Sequence, residues 1–454
     1  MQEIWAEKAL LPQGWTEAVL VETDAQGLIL RVTTGAGPRG HRTGILLPAP
    51  VNVHSHAFQR AMAGLTERRG PQAGDSFWTW RQLMYRFLDH LNPDQVETLA
   101  AFVQMEMQEA GYAASAEFHY LHHGPGGVPY DAPAEMSERI VAAAEESGIG
   151  LCLLPVLYTT GGCDGRPLDG GQRRFGNEFD AFTRLCEDAR RAIGHLPQDA
   201  TFGVAPHSLR AVRPVDLQAC ADLFPDVPIH MHLAEQRAEV AEVEAVLGAR
   251  PVAWMLDNMP PDPRWCLIHS TQMTPEETTA LAASGAVAGL CPITESSLGD
   301  GIFDGVRWAG AGGAFAVGSD SNIRISLAEE LRTLEYSQRL RDGSRAALAT
   351  REHSAGRRIF DAVCSGGARA VGRTSGVIAQ GHQADLVALD ASSVHLWERS
   401  GDQITDAWIF AGNDALVTDL WSAGRHMVRE GRHIHKDRIT AAYLKTMTEL
   451  RDIL

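Results

Sequence analysis

The chain has 454 residues, of which 44% are hydrophobic and 21% are charged, and its formal net charge is −17. This length suits one α/β barrel with a small companion domain, and the composition supplies enough apolar residues for a buried core. The acidic balance argues against a nucleic-acid-binding protein, whose footprint needs clustered positive charge. It leaves an anionic small molecule open as a substrate, because the local charge of a pocket can oppose the global charge.

The cysteines and the N-terminus predict a cytoplasmic protein. Seven cysteines occur singly, with no CxxC pair, so neither a disulfide framework nor a thiolate metal site is expected. The N-terminal segment MQEIWAEKALLPQGW lacks the basic region and the apolar core of a signal peptide. No stretch reaches the unbroken apolar length of a membrane span, so we expect no membrane partner.

Residues 1–48 contain short alternating apolar runs that predict β-strands. The segment AVLVETDAQGLILRV predicts two strands joined by a turn at Asp24–Gly27. We expect this region to form the first part of a small β domain.

Eight short apolar runs alternate with longer amphipathic segments from Ile45 onward, and we expect residues 49–375 to form the barrel domain. Each run is rich in Val, Ile, Leu or Cys on both faces, as expected of strands buried on both sides. Three helix starts carry capping signals, at Asn92, Thr274 and Ser326. The alternation predicts an α/β fold of the (β/α)8 barrel type; an open doubly wound sheet is the alternative, but no GxGxxG follows the first strand. The runs begin at Ile45, Ala114, Ile149, Thr201, Val227, Trp265, Ala286 and Phe315.

Residues 376–454 resume the pattern of the N-terminal region. ADLVALD predicts a strand, and VTDLWSAGRHMVREGRHI predicts strands and a hairpin with REG at its tip. TAAYLKTMTELRDIL predicts a terminal amphipathic helix. We therefore expect both chain ends to build one small β-sandwich-like domain beside the barrel.

Residues of metal-ligand type lie at the carboxyl ends of four predicted strands. In the segments HSH and HMH, the two histidines share a strand face because side chains alternate. A histidine ends the sixth strand and an aspartate follows the eighth, and barrel active sites lie at this end of the strands. The six residues are His54, His56, His230, His232, His269 and Asp320.

These residue types suit a hydrolytic metal centre. Imidazole and carboxylate ligands without thiolate favour Zn²⁺, with Fe²⁺, Ni²⁺ and Mn²⁺ as alternatives. Such a metal lowers the pKa of a bound water and supplies hydroxide near neutral pH. Glu235, three residues beyond His232, can shuttle protons without binding the metal, and His269 can orient or polarise the bond under attack.

Simpler interpretations hold for single members of the set. A lone histidine at a strand end is more often a hydrogen-bonded polar residue than a ligand, and His230 can pack or hydrogen-bond beside His232. Six matching residues at the ends of four strands favour a common site over coincidence.

The motifs HSH, HLAE and GSDS, together with His269, resemble the amidohydrolase superfamily in its deaminase branch with one metal. The resemblance covers essentially the whole chain, including the β-rich ends. The fourth strand carries His207 in VAPHSLR and offers no candidate for the bridging lysine of two-metal relatives, which favours a single metal. The resemblance implies one divalent metal with the ligands His54, His56, His232 and Asp320.

Narrower motifs are similar to the formimidoylglutamate deiminase family. They are NVHSHAFQRAMAG, DSFWTWRQLMYR, AEFHYLHH, GQRRF, HSLRAV, HLAEQ and LGDGIF. The resemblance implies hydrolysis of N-formimino-L-glutamate to N-formyl-L-glutamate and ammonia, in histidine degradation. It also implies Glu235 as proton shuttle, His269 beside the attacked carbon, and Asp320 as acceptor of a proton from the attacking water.

The implied substrate carries two carboxylates, which the planar guanidinium group of arginine binds well. Arg210, three residues past His207, and Arg81, in the aromatic segment FWTWRQLMY, are the charged candidates for substrate contact. Gln59, Tyr120 and His207 are the candidates that need carry no charge. Loop arginines are also commonly solvated or held in surface ion pairs.

An aromatic cluster and two alternative functions complete the sequence-based expectations. The aromatic cluster predicts a packed lid or a subunit contact, which favours a homodimer. Its members are Phe77, Trp78, Trp80 and Tyr85. One alternative function is an aminohydrolase of a cyclic substrate, such as guanine or an adenosine derivative, whose pocket would favour stacking over paired arginines. The other is a catalytically silent relative, which should lack ligands or the shuttle, whereas this chain keeps them all.

Overall fold

The computed structural model describes residues 2–67 and 77–451, apart from the side chains of residues 77–79. Four strands precede the barrel: β1 (Gln2–Leu11), β2 (Gly14–Thr23), β3 (Ile29–Thr33) and β4 (His41–Pro48). The barrel strands are β5 (Val51–Ser55), β6 (Ala114–His119), β7 (Gly150–Leu157), β8 (Thr201–Phe202), β9 (Ala205–Pro206), β10 (Ile229–Leu233), β11 (Trp265–His269), β12 (Val287–Leu290) and β13 (Ala314–Val317). Four strands follow it: β14 (Leu386–Leu389), β15 (Val417–Ser422), β16 (Arg425–Arg429) and β17 (Arg432–His433).

Helices follow the barrel strands, as the alternating sequence pattern predicts. Asn92 caps its helix in a reciprocal capping box with Gln95, and Thr274 caps its helix in the same way with Glu277. Ser326 accepts one hydrogen bond, from the backbone N–H of Glu329. The helices are α1 (Phe77–Leu88), α2 (Pro93–Glu109), α3 (Glu135–Ser147), α4 (Phe179–Ile193), α5 (Pro214–Leu223), α6 (Arg237–Leu247), α7 (Pro251–Asn258), α8 (Pro275–Ala283), α9 (Pro292–Leu298), α10 (Gly305–Gly310), α11 (Leu327–Asp342), α12 (Ala355–Ala370), α13 (Gln403–Phe410) and α14 (Lys436–Arg451).

The barrel closes through parallel pairing of all its strands. β5, β6, β7 and β8 form one run of neighbours, and β10 to β13 form another. Bridges Val204–Ile229 and Ser55–Asp320 join the two runs, so the eighth strand meets the first. At that seam a Cβ on Gly318 would lie 2.6 Å from the backbone N of His54, which explains the glycine. The predicted (β/α)8 barrel is confirmed, with its fourth strand split into β8 and β9.

The strands from both chain ends form one mixed sheet, in the order β17-β16-β15-β14-β4-β1-β2-β3. A bridge between Leu28 and Gln383 brings the β3 edge back to the segment before β14, so the sheet curls around its own small apolar core. We propose that residues 1–48 and 376–454 form one domain, because β4 ends at Pro48 and the sheet resumes at β14.

A buried ion network connects the sheet to the barrel. The Arg373 guanidinium is 2.6 Å from the Asp385 carboxylate and 2.9 Å from Asp199. Arg425 of β16 lies 2.6 Å from the same Asp199, so one aspartate near the bottom of the barrel forms ion pairs with two arginines.

Among the described residues, no helix has both the length and the apolar character needed to cross a membrane.

Candidate metal centre and active site

Four predicted ligands converge at the carboxyl end of the barrel. His54 projects from β5 and His56 directly follows that strand, His232 projects from β10, and Asp320 follows β13; all four are buried. The Nε2 atoms of His54 and His232 are 3.1 Å apart. The Nε2 atoms of His54 and His56 lie 3.4 and 3.3 Å from Asp320 Oδ1. Three imidazoles and one carboxylate therefore point their ligand atoms at one small volume.

Hydrogen bonds at the Nδ1 atoms of His56 and His232 leave the Nε2 atoms of both rings available to bind a cation. His56 Nδ1 is 3.0 Å from the carbonyl oxygen of Phe118, and His232 Nδ1 is 3.1 Å from that of His207. A carbonyl accepts only, so both Nδ1 atoms donate and both Nε2 lone pairs face the cluster. Burial, followed by the neighbouring His56, lowers the pKa of His54 to about 3, which keeps its imidazole neutral. Neutral imidazoles beside a carboxylate are the donor set that a divalent metal requires.

A buried polar network fixes the position of Asp320. Asn52 Nδ2 donates to Ser319 Oγ over 2.7 Å, and Ser319 Oγ donates to Asn322 Oδ1 over 2.6 Å. Asn322 Nδ2 then donates to Ser55 Oγ over 3.2 Å, which ties the turn after β13 to β5. Asp320 itself has φ of +48°, a left-handed conformation that costs free energy in a residue other than glycine. The network stabilises this conformation, and it keeps the carboxylate directed at the histidines.

His269, the last residue of β11, lies beside the cluster. Its Nε2 is 3.9 Å from Asp320 Oδ2 and 4.0 Å from Glu235 Oε1, and its Nδ1 is 3.2 Å from Glu295 Oε1. Burial lowers the pKa of His269, but the carboxylates of Glu235, Glu295 and Asp320 outweigh burial and raise it to about 10. The raised pKa favours the protonated form of His269, which can donate toward the cluster.

Glu235 belongs to a buried charge cluster at the end of β10. Arg210 Nη2 donates to Glu235 Oε2 over 3.0 Å. Glu239, fully buried in the first turn of α6, accepts hydrogen bonds from the backbone N–H groups of Ala234, Glu235 and Gln236. Burial raises the pKa of Glu235, although His269 and Arg210 act in the opposite direction. A carboxyl group whose pKa is raised holds a proton more readily than an exposed carboxylate does, which suits a group that donates protons.

The predicted substrate contacts line a cavity above the cluster. Gln59 Nε2 donates to Tyr120 Oη over 2.7 Å, and Arg81 Nη2 donates to Tyr158 Oη over 2.8 Å. The cavity has about 530 Å³ of empty space, part of it open to solvent. Its wall includes His56, Gln59, Trp80, Arg81, Met84, Tyr85, Tyr120, Tyr158, Phe175, His207, Arg210, His232, Glu235, His269, Leu298 and Asp320.

Two arginines bring positive charge to the cavity wall despite the acidic chain, and one of them, Arg210, is paired with Glu235. Burial lowers the pKa of His207 well below its usual range, and the nearby guanidinium groups of Arg210 and Arg81 lower it further. A neutral His207 adds no charge, so Arg81 and Arg210 supply the positive charge that an anion would meet here.

The structure also locates His230 and part of the predicted aromatic cluster. His230 is not part of the cluster: its Nε2 lies 2.8 Å from the carbonyl oxygen of Ala370, as the simpler interpretation holds. Of the aromatic cluster, Trp80 and Tyr85 line the cavity, whereas the side chains of Phe77 and Trp78 lie outside the described residues.

Sequence reasoning missed three residues that hold others in place. Glu295 contacts His269, Glu239 holds the backbone before α6, and Tyr158 contacts Arg81. Glu295 follows the seventh strand at its carboxyl end, so the barrel rule could have identified it. Tyr158 directly follows β7 and could have been found in the same way.

Comparison with known proteins identifies the family of the chain. The amidohydrolase family model matches residues 45–427, and the model of the formimidoylglutamate deiminase HutF N-terminal domain matches residues 1–42. Formimidoylglutamate deiminase of Pseudomonas aeruginosa is 46% identical over 459 aligned residues, which cover 100% of both chains. The chain belongs to the amidohydrolase family, in its formimidoylglutamate deiminase branch. The predicted family is thereby confirmed, and membership extends over the β-rich ends.

Solved amidohydrolase structures share the fold. The crystal structure of an amidohydrolase from Brucella melitensis has a TM-score of 0.95 and 46% identity, covering 99% of this chain and 100% of the other. An adenosine deaminase from Xanthomonas campestris with bound zinc has a TM-score of 0.81 and 21% identity, with coverages of 99% and 98%. At that identity the second structure supports the fold alone.

Proposed function

We propose that this protein hydrolyses N-formimino-L-glutamate to N-formyl-L-glutamate and ammonia, as a step of histidine degradation. The observation that carries the proposal is the full-length similarity to a formimidoylglutamate deiminase, joined to a cavity whose upper wall holds two arginines above a His3Asp cluster. The arginine pair suits a substrate with two carboxylates better than it suits a neutral purine.

One divalent metal completes the proposed site. Its proposed ligands are His54, His56, His232 and Asp320, because their ligand atoms converge and the second ring nitrogens of His56 and His232 are already hydrogen-bonded. Zn²⁺ is the preferred ion for this nitrogen-rich set, with Fe²⁺, Ni²⁺ and Mn²⁺ as alternatives. The metal, when bound, lowers the pKa of a coordinated water and so makes a hydroxide nucleophile available near neutral pH.

The protein side chains move the protons of the reaction. Asp320 accepts a proton from the attacking water, while His269, held by Glu295, stabilises the negative charge that develops on oxygen as water adds to the formimino carbon. Addition of water forms a C–O bond at the formimino carbon and breaks the C=N π bond, whose nitrogen takes up the proton that the water lost. Glu235 then delivers a second proton to the departing nitrogen, the C–N bond breaks and ammonia leaves, while the hydroxyl group gives its proton to Asp320 as the formyl C=O forms.

The substrate carboxylates are proposed to bind at the positive wall. Arg81 and Arg210 contribute the charge, and Gln59, Tyr120 and His207 contribute neutral hydrogen-bonding groups around the cavity. Arg210 already contacts Glu235, so a carboxylate bound to Arg210 would lie beside the proton shuttle. In this proposal the glutamate end of the substrate lies at the wall and its formimino group points toward the metal ligands.

We further propose a cytoplasmic homodimer. All seven cysteines are free thiols, which suits a reducing compartment. The half-buried Trp80 beside the cavity mouth supports a subunit contact formed by α1. Size-exclusion chromatography with light scattering tests the dimer, and a mass near one chain would contradict it.

A substrate panel tests the proposed reaction. Ammonia release should be rapid with N-formimino-L-glutamate and absent with adenosine and guanine. N-formimino-L-aspartate, shorter by one methylene, should react with a kcat/KM lower by about 10–200-fold, the range that one methylene discriminates. Turnover of a purine without turnover of formiminoglutamate would contradict the proposal and favour a cyclic-substrate aminohydrolase.

A further inference from the structure

A second group of metal-ligand side chains lies in the curled sheet, outside the barrel site. His41 begins β4, Asp419 lies in β15 and His426 lies in β16. His426 Nε2 is 2.8 Å and His41 Nε2 is 3.1 Å from the same atom, Asp419 Oδ1. The ligand atoms of all three residues lie within 4.8 Å of one another.

This arrangement repeats the pattern of the barrel cluster. There, the Nε2 atoms of His54 and His56 also lie against a single carboxylate oxygen, at 3.4 and 3.3 Å from Asp320 Oδ1. Two imidazoles and one carboxylate facing a common point match the usual ligands of a zinc site with an open position.

Hydrogen bonding explains only part of the sheet cluster. His426 makes a hydrogen bond with Asp419. His41 Nε2 is shielded from solvent and lies 3.1 Å from Asp419 Oδ1, but it makes no well-aligned hydrogen bond within the described part of the chain. A shielded polar nitrogen that is poorly hydrogen-bonded costs free energy, and a bound cation would accept its lone pair.

The surrounding aromatic residue holds the rings in place. Trp421 stacks on His426 with ring centroids 4.3 Å apart and meets His41 edge-on at 5.3 Å. The side chain of His41 is 35% exposed, against 11% for Asp419, so the cluster has one open side from which water can complete a coordination shell. Ligands fixed by packing lose little conformational entropy when they bind an ion.

We propose that His41, Asp419 and His426 bind a second divalent metal ion of the zinc class, with a structural role. The ion would connect β4, from the N-terminal part of the sheet, to β15 and β16 from the C-terminal part. The exposed Arg429 nearby contributes opposing positive charge, so binding is weaker than at the barrel site. This inference does not depend on the proposed reaction.

Metal counting with matched variants tests the inference. The full-length protein, saturated with zinc chloride and desalted, should carry two zinc ions per chain by inductively coupled plasma mass spectrometry. Asp419→Asn and His426→Gln should each carry one and should retain wild-type ammonia release. His395→Ala, which removes an exposed histidine outside the cluster, should still carry two.

Asp320→Asn separates the two sites, because it should lose the barrel metal while keeping the sheet metal. Circular dichroism checks that each variant is folded, and His41→Gln, at the most exposed ligand, replaces any variant that is not. One zinc ion per saturated wild-type chain, or two in folded His426→Gln, would overturn the inference. Neither result would bear on the proposed deimination, which the substrate panel tests separately.

Discussion

Replacement of Glu235 by glutamine isolates proton transfer from the rest of the site. Glutamine has the size of glutamate and keeps an oxygen that can accept the hydrogen bond now 3.0 Å long from Arg210. The backbone N–H of Glu235 would still donate to Glu239 over 2.8 Å, so the loop after β10 should keep its conformation. The amide cannot deliver a proton to the departing nitrogen.

The expected loss follows from the role of the carboxyl group. A positioned acid–base group contributes about 10²–10⁴-fold to a rate, which corresponds to about 3–5 kcal/mol of activation free energy. We expect kcat to fall by this factor while KM changes by less than about threefold, because the interaction removed is made in the transition state. The metal content should remain that of the wild type.

Stopped assays of ammonia release across a range of N-formimino-L-glutamate concentrations measure both constants. Glu244→Gln, an exposed change on α6, is the matched control and should leave kcat unchanged. A Glu235→Gln protein that holds its metal and keeps more than about a tenth of the wild-type kcat would refute the role of Glu235 as proton shuttle.

Three other changes follow from the same contacts. Glu239→Gln replaces an acceptor of backbone N–H groups beside Glu235, and it should lower kcat by about 10-fold or more with metal content intact, as kinetics and metal analysis would show. Arg81→Lys loses the planar fork at the cavity wall and should raise KM for N-formimino-L-glutamate by about 10-fold, with kcat nearly kept. Asp199→Asn leaves buried Arg373 with one carboxylate and should cost about 3–5 kcal/mol in urea unfolding at pH 7. Burial raises the pKa of Asp199, but Arg425 and Arg373 lower it overall. The stability difference should therefore hold above the ordinary carboxyl pKa near 4 and shrink as the pH falls below it.

The metal cluster is predictable from sequence because two simple regularities determine it. Alternation along a strand places His54 and His56 on one face, and the barrel rule places the ends of β5, β10 and β13 at one mouth. The capping boxes at Asn92 and Thr274 are local in the same sense, since each depends on residues three apart.

The contacts between distant segments are not predictable in this way. The pairing of Arg210 with Glu235 depends on the approach of the loops after two different strands, which no local pattern encodes. The curling of the sheet depends on the bridge between Leu28 and Gln383, and the whole barrel sequence lies between these two residues along the chain. In the sequence, Glu239 is an ordinary residue in the first turn of a predicted helix. Its role becomes clear only in the structure, where three backbone N–H groups donate hydrogen bonds to its carboxylate.

The central claim is that the His3Asp cluster binds a metal that deimination requires. The most direct test measures ammonia release from N-formimino-L-glutamate by zinc-loaded protein and by a chelated sample of the same preparation. We expect rapid release from the loaded protein, loss after chelation and recovery on adding zinc back. Equal release from a folded chelated sample that metal analysis shows to be metal-free would contradict the claim.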